Sequence, residues 1–334
     1  MHKSVLTPRG VHYDLDRAEH LPRWPWVLGL LLLLAVVAGL LLTFRPRLDE
    51  TVTSKRSQPV LMPDASVAGF QAPAVLPNGT NRIPRWPASV DAEARHLVEY
   101  AEAAFRADDL AAARRRYLEL LERGNLGAAA TFVEQRLGEI GMTLVLTPRL
   151  MPEKTEYTVK RGESVDRIAR QFNVTAEWLA RANDIRNPER LQPGQRVRVL
   201  NAPRFAITVN RGANELRLFL NDHLLKRYAV GTGRRGETPP GAYAIRSRQE
   251  RPAWWHPDGR KIPYGHRENI LGTRWMSLQA TGTTATVRGY GIHGTWNDAD
   301  IGQSATAGCI RMRNPDVEEL CLIVPEGTPV RIVD

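Results

Sequence analysis

RFAITVNRGANELRLFLNDHLLKRYAVGTGRRGETPPGAYAIRS, Arg204 to Ser247, sets the architecture of the C-terminal part of this chain. Within it FAITVN, ELRLFL, LLKRYAV and GAYAIRS read as strands, separated by turn signals at Gly212 and Asn221-Asp222. Thr238, Pro239, Pro240 and Gly241 form a further turn by composition. The strand pattern returns at the end as PVRIVD, with a short helix expected at Pro315 to Leu322. These residues predict a mostly-β domain over 204–334, long enough for one core.

Toward the end of that domain lies IHGTWNDADIGQSATAGCIRMRN, Ile292 to Asn314, which places a histidine ahead of a cysteine flanked by glycine and arginine. A thiol is a useful nucleophile as its thiolate, and a nearby imidazole is the usual proton acceptor, so His293 and Cys309 are the candidate pair. Gly308 allows a tight backbone turn beside the sulfur, so that the amides of Gly308 and Cys309 are candidate donors to an oxyanion. Arg311 is placed to hold a substrate carboxylate. The other cysteine, Cys321, sits in the apolar run VEELCLIV and reads as core. The remaining histidines considered, 223, 256 and 266, lack ligand-type spacing, so no metal or other cofactor is implied.

With 334 residues the chain is too long for one ordinary core, and two cysteines cannot make a disulfide framework. The net charge of +10 comes mostly from arginine scattered through every segment. That argues against nucleic acid and suits a diffuse attraction to an anionic envelope polymer or membrane surface.

N-terminal to these modules, Val27 to Phe44 runs 18 residues without a charge, as a helix roughly 27 Å long, near bilayer thickness. With Trp24 and Trp26 at one end and Arg45 and Arg47 at the other, 24–44 is expected to be a single, uncleaved transmembrane helix. It follows a cytoplasmic segment, 1–23. Prolines at 46, 59, 63, 73, 77, 84 and 87 amid small polar residues make 45–87 a disordered tether.

An alanine-rich region, 88–145, reads as a small α-helical spacer. Leu97, Ala101, Ala104 and Phe105 share one face, and Leu110, Tyr117, Leu118 and Leu121 the next. Asp108 or Asp109 caps the second helix; Phe132, Leu137 and Ile140 suggest a third, ending before Gly141. The run Arg114 to Arg116 reads as a solvated face. AEAAFRADDLAAARRRYLELL resembles one tetratricopeptide-type hairpin, without a visible second copy.

Residues 155–201 give a strand, two short helices and a closing strand, Arg196 to Leu200, after a Pro193-Gly194 turn. Val165, Ile168, Ala169 and Phe172 face inward from the first helix; Thr175 caps the second, from which Leu179 and Ala182 face inward. This order, with YTVKRGES, IARQFNV and LQPGQRVRV, resembles the lysin-motif (LysM) domain, a small α+β fold of order βααβ. The resemblance implies binding of N-acetylglucosamine-containing glycan by the loop at Gly162, Glu163 and Ser164 and by the loop at Ile185 to Leu191, including Asn187 and Leu191. Glycan bound there raises the effective concentration of the enzyme on its polymer.

VGTGRRGETPPGAYAI at 230–245, LGTRWMSL at 271–278, GIHGT at 291–295 and TAGCIRMRNPDVEEL at 306–320 resemble the L,D-transpeptidase catalytic domain. The family pattern is a histidine, a spacer, Ser or Thr, a residue that is often histidine, then Gly-Cys; Thr306, Ala307, Gly308 and Cys309 fill the last four places. The resemblance implies Cys309 as nucleophile, His293 as general base and later acid, and Gly308 with Cys309 as the oxyanion-stabilising turn. A backbone carbonyl of that turn orients the histidine, which Ala307 can still supply. Arg311 contacts the peptide stem or braces the loop; Gly294 and Trp275 join the substrate side, with Thr306 behind them.

The implied reaction is attack on the amide between the third and fourth residues of a peptidoglycan tetrapeptide stem, with loss of D-alanine and transfer to an acceptor amine. Water in place of the amine makes an L,D-carboxypeptidase, and a silent centre leaves a wall-binding scaffold. Anchor, tether and modules together imply a bacterial cell-membrane protein, single-pass, with its catalytic part outside.

Overall fold

The computed structural model describes residues 92–127, 129–286 and 289–334. The expected membrane helix at 24–44 and tether at 45–87 lie outside these residues. Among the described residues no helix is long and apolar enough to cross a membrane.

Three helices come first: α1, Ala92–Arg106; α2, Leu110–Arg123; α3, Ala129–Leu146. Asp109 starts α2, its carboxylate accepting the Ala112 amide at 3.0 Å. Glu102 of α1 ties all three together, accepting from Tyr117 of α2 and from Arg136 of α3 at 3.0 Å. Burial, then Glu102, raises the Tyr117 phenol well above its ordinary range, so it stays a donor.

Two expectations for this region are overturned. Helix α3 does not stop before Gly141 but runs on to Leu146. Its glycines serve packing: a Cβ on Gly141 would stand 2.9 Å from Leu225 Cδ1 and 3.0 Å from the Leu225 carbonyl, so only glycine allows the helix onto that strand. Arg114 is not solvated either. It pairs with Glu153 at 2.8 Å, with side chains only 5% and 9% exposed, because α2 lies under the start of the next module.

That module comprises β1, Lys154–Thr158; α4, Val165–Gln171; α5, Ala176–Arg181; and β2, Arg196–Leu200. The two strands pair antiparallel from Lys154↔Leu200 to Thr158↔Arg196. Ser164 and Thr175 cap the helices by accepting the amides of Arg167 at 3.2 Å and Trp178 at 2.9 Å. Val165, Ile168, Ala169, Leu179 and Ala182 are buried, and the Phe172 ring meets Tyr157 edge-on at 5.1 Å.

Beyond β2 come β3, Phe205–Asn210; β4, Glu215–Leu220; β5, His223–Ala229; β6, Thr232–Gly233; β7, Gly241–Glu250; β8, Trp254–Trp255; β9, Lys261–Ile262; β10, Arg274–Ala280; β11, Gly291–His293; β12, Ser304–Thr306; β13, Ile310–Arg311; α6, Asn314–Ile323; and β14, Pro329–Val333. Eight of them form one mixed sheet, ordered β13-β11-β10-β7-β14-β3-β4-β5. In β3 every second residue, Phe205, Ile207 and Val209, is buried, as in a sheet with one covered face. Helix α6 packs on β10 and β11 and carries the buried Cys321.

The helices do not stand apart as a spacer. Helix α3 packs on α2 by one side and on β5 by another. Glu134 of α3 reaches Arg217 at 3.1 Å and Arg227 at 3.4 Å. The fully buried Trp178 of α5 donates its indole N–H to the Val145 carbonyl at 3.0 Å, and the Thr175 hydroxyl donates to the Leu322 carbonyl of α6. One continuous apolar core runs through all these parts.

Candidate active site

The site is assembled by sheet register. Antiparallel pairing of β10 and β11 sets Trp275 opposite His293, and parallel pairing of β11 and β13 sets His293 opposite Arg311. Directly opposed residues project from the same face, so these three side chains form one row across three strands. Cys309 lies two positions before Arg311, a spacing that favours the same face. His293, Cys309, Arg311 and Trp275 accordingly line one cavity of about 330 Å³, together with Trp254 and Trp255.

His293 is 2% exposed. Its Nδ1 lies 2.6 Å from the Gly294 carbonyl, which can only accept, so Nδ1 carries the proton and Nε2 is the free base. Trp275 stacks on the imidazole, with centroids 5.8 Å apart and planes at 30°. Burial pushes the imidazole down to about 4, with the Arg311 charge adding to this and the Gly294 carbonyl opposing it. The ring is therefore neutral near pH 7 and able to take a proton.

Burial pushes the Cys309 thiol up, against the Gly291 backbone and Arg311, which favour the thiolate. The S–H points at the Gly289 carbonyl, 3.5 Å away. The resting pair is a neutral thiol and a neutral imidazole, and among the described residues no hydrogen bond joins them. Arg311, the one fixed charge among the cavity's lining residues, is held by Asp300.

Gly308 has φ +117°, and a Cβ there would fall 2.9 Å from the Glu237 carbonyl and against the Tyr290 ring, so the turn before the cysteine requires glycine. Its amide donates to Thr306 Oγ1 at 3.2 Å, and the Thr306 hydroxyl donates to the Cys309 carbonyl at 2.7 Å. Thr238 adds a strut, donating to the Gly308 carbonyl at 2.7 Å and accepting the Gly233 amide at 2.7 Å.

Three expectations change in consequence. The Gly308 amide, expected to point at an oxyanion, is engaged by Thr306. Thr306, expected behind the substrate-side residues, is buried and braces the turn while also lining the cavity. The carbonyl that orients His293 belongs to Gly294, the next residue along the strand end, and not to Ala307, which lines the cavity. Gly294 is itself buried and acts through that carbonyl, not on the substrate side. Asp300 and the brace at Thr238 were not foreseen; the TPPG turn is the only sequence signal that marks the latter.

In the βααβ module the end of β1 lies beside the start of β2, with the Val159 amide on the Gln195 carbonyl at 2.9 Å, so both expected glycan loops leave one end of the sheet. Gly162 takes φ +79° in an exposed turn. Glu163 accepts from Tyr157 at 2.8 Å and from the Lys160 amide at 2.8 Å, while Ser164 and Asn187 cap the Arg167 and Glu189 amides. Leu191 is half-buried against the core. These side chains shape the loops, so backbone groups and exposed edges are what they offer a ligand.

The L,D-transpeptidase catalytic domain family matches residues 204–332, and the LysM domain family residues 157–199. A Bacillus licheniformis protein named "Putative L,D-transpeptidase YkuD" is 35% identical over 182 residues, 53% of this chain and 97% of that one. The Bacillus subtilis protein of the same name matches at 35% over the same shares, and YqjB of that organism at 36% over 38% of this chain and 70% of its own. The solved structure of an L,D-transpeptidase from Mycobacterium smegmatis shares 13% identity, with a TM-score of 0.33, over 42% of this chain and 64% of that one. Because two relatives 35% identical are each matched over 97% of their own length, this chain belongs to the L,D-transpeptidase family.

Proposed function

We propose that this protein is a peptidoglycan L,D-transpeptidase that works through a Cys309 thioester. The observation that carries this reading is the shared cavity of Cys309 and a buried, neutral, Nδ1-protonated His293. In the first step Sγ bonds to the carbonyl carbon of the amide between the third and fourth stem residues, while His293 Nε2 takes the thiol proton. The resulting oxyanion receives the Cys309 amide, with Arg311 nearby. Collapse breaks the C–N bond, and His293 returns its proton to the departing D-alanine amine. An acceptor amine then attacks the thioester, giving the new amide and the free thiol.

Trp275, Trp254 and Trp255 provide the wall along which the stem lies, and the βααβ module binds the glycan strand through its two loops. The uncharged run Val27 to Phe44 supports a membrane anchor, with the tether reaching to a catalytic part outside the membrane. The product profile of purified peptidoglycan, read by mass spectrometry with and without an added amine, tests the reaction. Crosslinked dimers that vanish in Cys309→Ala are expected; identical profiles for both proteins leave a wall-binding scaffold, and trimmed stems alone an L,D-carboxypeptidase.

A further inference from the structure

We propose that Asn269 is a positioning residue that holds segment 252–271 as the aromatic wall of the cysteine cavity and so sets how the acyl donor is seated. This rests on the reading of Cys309 as nucleophile. Strands β8 and β9 pair only with each other, outside the eight-stranded sheet, so the sheet does not fix where this hairpin lies. Strand β8 nevertheless brings Trp254 and Trp255 into the cavity, and the return arm brings Ile270 and Leu271. Trp255 is 68% exposed and Ile270 41%, large apolar groups standing at the cavity mouth rather than packed in the core.

The neck of the segment is closed by the Arg251 amide on the Thr273 carbonyl at 2.9 Å. At the surface Arg260 pairs with Glu268 at 3.1 Å and Tyr264 meets Trp296, while inside the neck one buried side chain gathers the backbone ties. Asn269, 1% exposed, donates through Nδ2 to the carbonyls of Pro252 at 2.9 Å, Ile262 at 3.2 Å and Pro263 at 3.2 Å. Its Oδ1 accepts the Leu271 amide at 2.9 Å. Both arms of the loop and β9 thus converge on one amide. Aspartate is the same size but at neutral pH presents only acceptors, which would face three carbonyls. Asn269 lines no part of the cavity, so its effect on the reaction passes through the tryptophans it positions.

The test compares wild type, Asn269→Asp, Asn269→Ala, Trp255→Ala and the Asn269→Ala/Trp255→Ala pair. Acylation by a tetrapeptide stem is followed by intact mass as stem concentration varies, beside iodoacetamide alkylation of Cys309 and thermal melting. In the Asn269 variants the stem concentration for half-maximal acylation should rise about tenfold, with alkylation changed by less than about twofold, since misplacing a substrate wall is felt by the substrate alone. Trp255→Ala should raise the same concentration, and the double variant should add little to either single change. An unchanged stem dependence in the Asn269 variants, or full additivity in the pair, overturns the proposal. Should the Asn269 variants fail to fold, an unchanged stem dependence in Trp255→Ala overturns it as well. A wild-type protein that forms no adduct instead counts against the nucleophile.

Discussion

At the scale of single residues, low dielectric keeps the proposed catalytic pair neutral until substrate arrives. The imidazole at about 4 stays unprotonated across the working pH range, which a general base requires, and the thiol stays protonated because burial outweighs Arg311. His293→Ala should therefore slow alkylation of Cys309 at neutral pH by at least about tenfold, the general-base contribution; equal rates would mean the two are uncoupled. The same burial links to stability. A group depressed from 6.5 to about 4 in the folded state leaves stability whole above pH 6.5 and erodes it as pH falls toward 4, by roughly 3 kcal/mol. Urea unfolding of wild type should weaken over that window, and His293→Gln should remove most of the slope. Cysteine and histidine were legible in the sequence because their motif encodes their chemistry. The carbonyl on Nδ1 was not: any backbone oxygen can fill that role, and only the strand end at Gly294 decides which one does.

At the scale of elements, the row Trp275, His293 and Arg311 follows from two strand pairings, one antiparallel and one parallel. Each strand could be read from its pattern, but pairing between distant segments leaves no local periodicity, so the stack of indole on imidazole was hidden. Helix α3 gives a second case. Gly141 looked like a helix end because glycine is a poor helix former, by about 1 kcal/mol against alanine. Close approach of β5 overrides that propensity. Gly141→Ala should therefore destabilise rather than stabilise, by about 1–3 kcal/mol, since the Leu225 carbonyl is backbone and cannot move aside as a side chain does. Chemical denaturation distinguishes the signs: a gain in stability would show that the helix rides higher on the sheet than described.

At the scale of the whole molecule, the helices, the βααβ module and the β domain share a core, although the chain's length had suggested more than one and the helices had read as a spacer. The surfaces that join them, such as Trp178 against Val145 and Arg114 against Glu153, use residue types equally at home inside a module, so their partners could not be inferred from the sequence. Residues 88–334 should unfold in one cooperative calorimetric transition, and Trp178→Ala should lower it as a whole by about 3–5 kcal/mol; two separable transitions would show independent modules. Under the proposed glycan binding, a rigidly held βααβ module fixes how the strand meets the β domain, where a flexible one only raises local concentration. The proposed reaction is one chemical event at sulfur. Its most direct test is the intact mass of residues 88–334 after mixing with a tetrapeptide stem. The expected result is a mass increase equal to the stem less D-alanine, mapped to Cys309 and absent from Cys309→Ala; no adduct, or one that survives that substitution, overturns the Cys309 thioester.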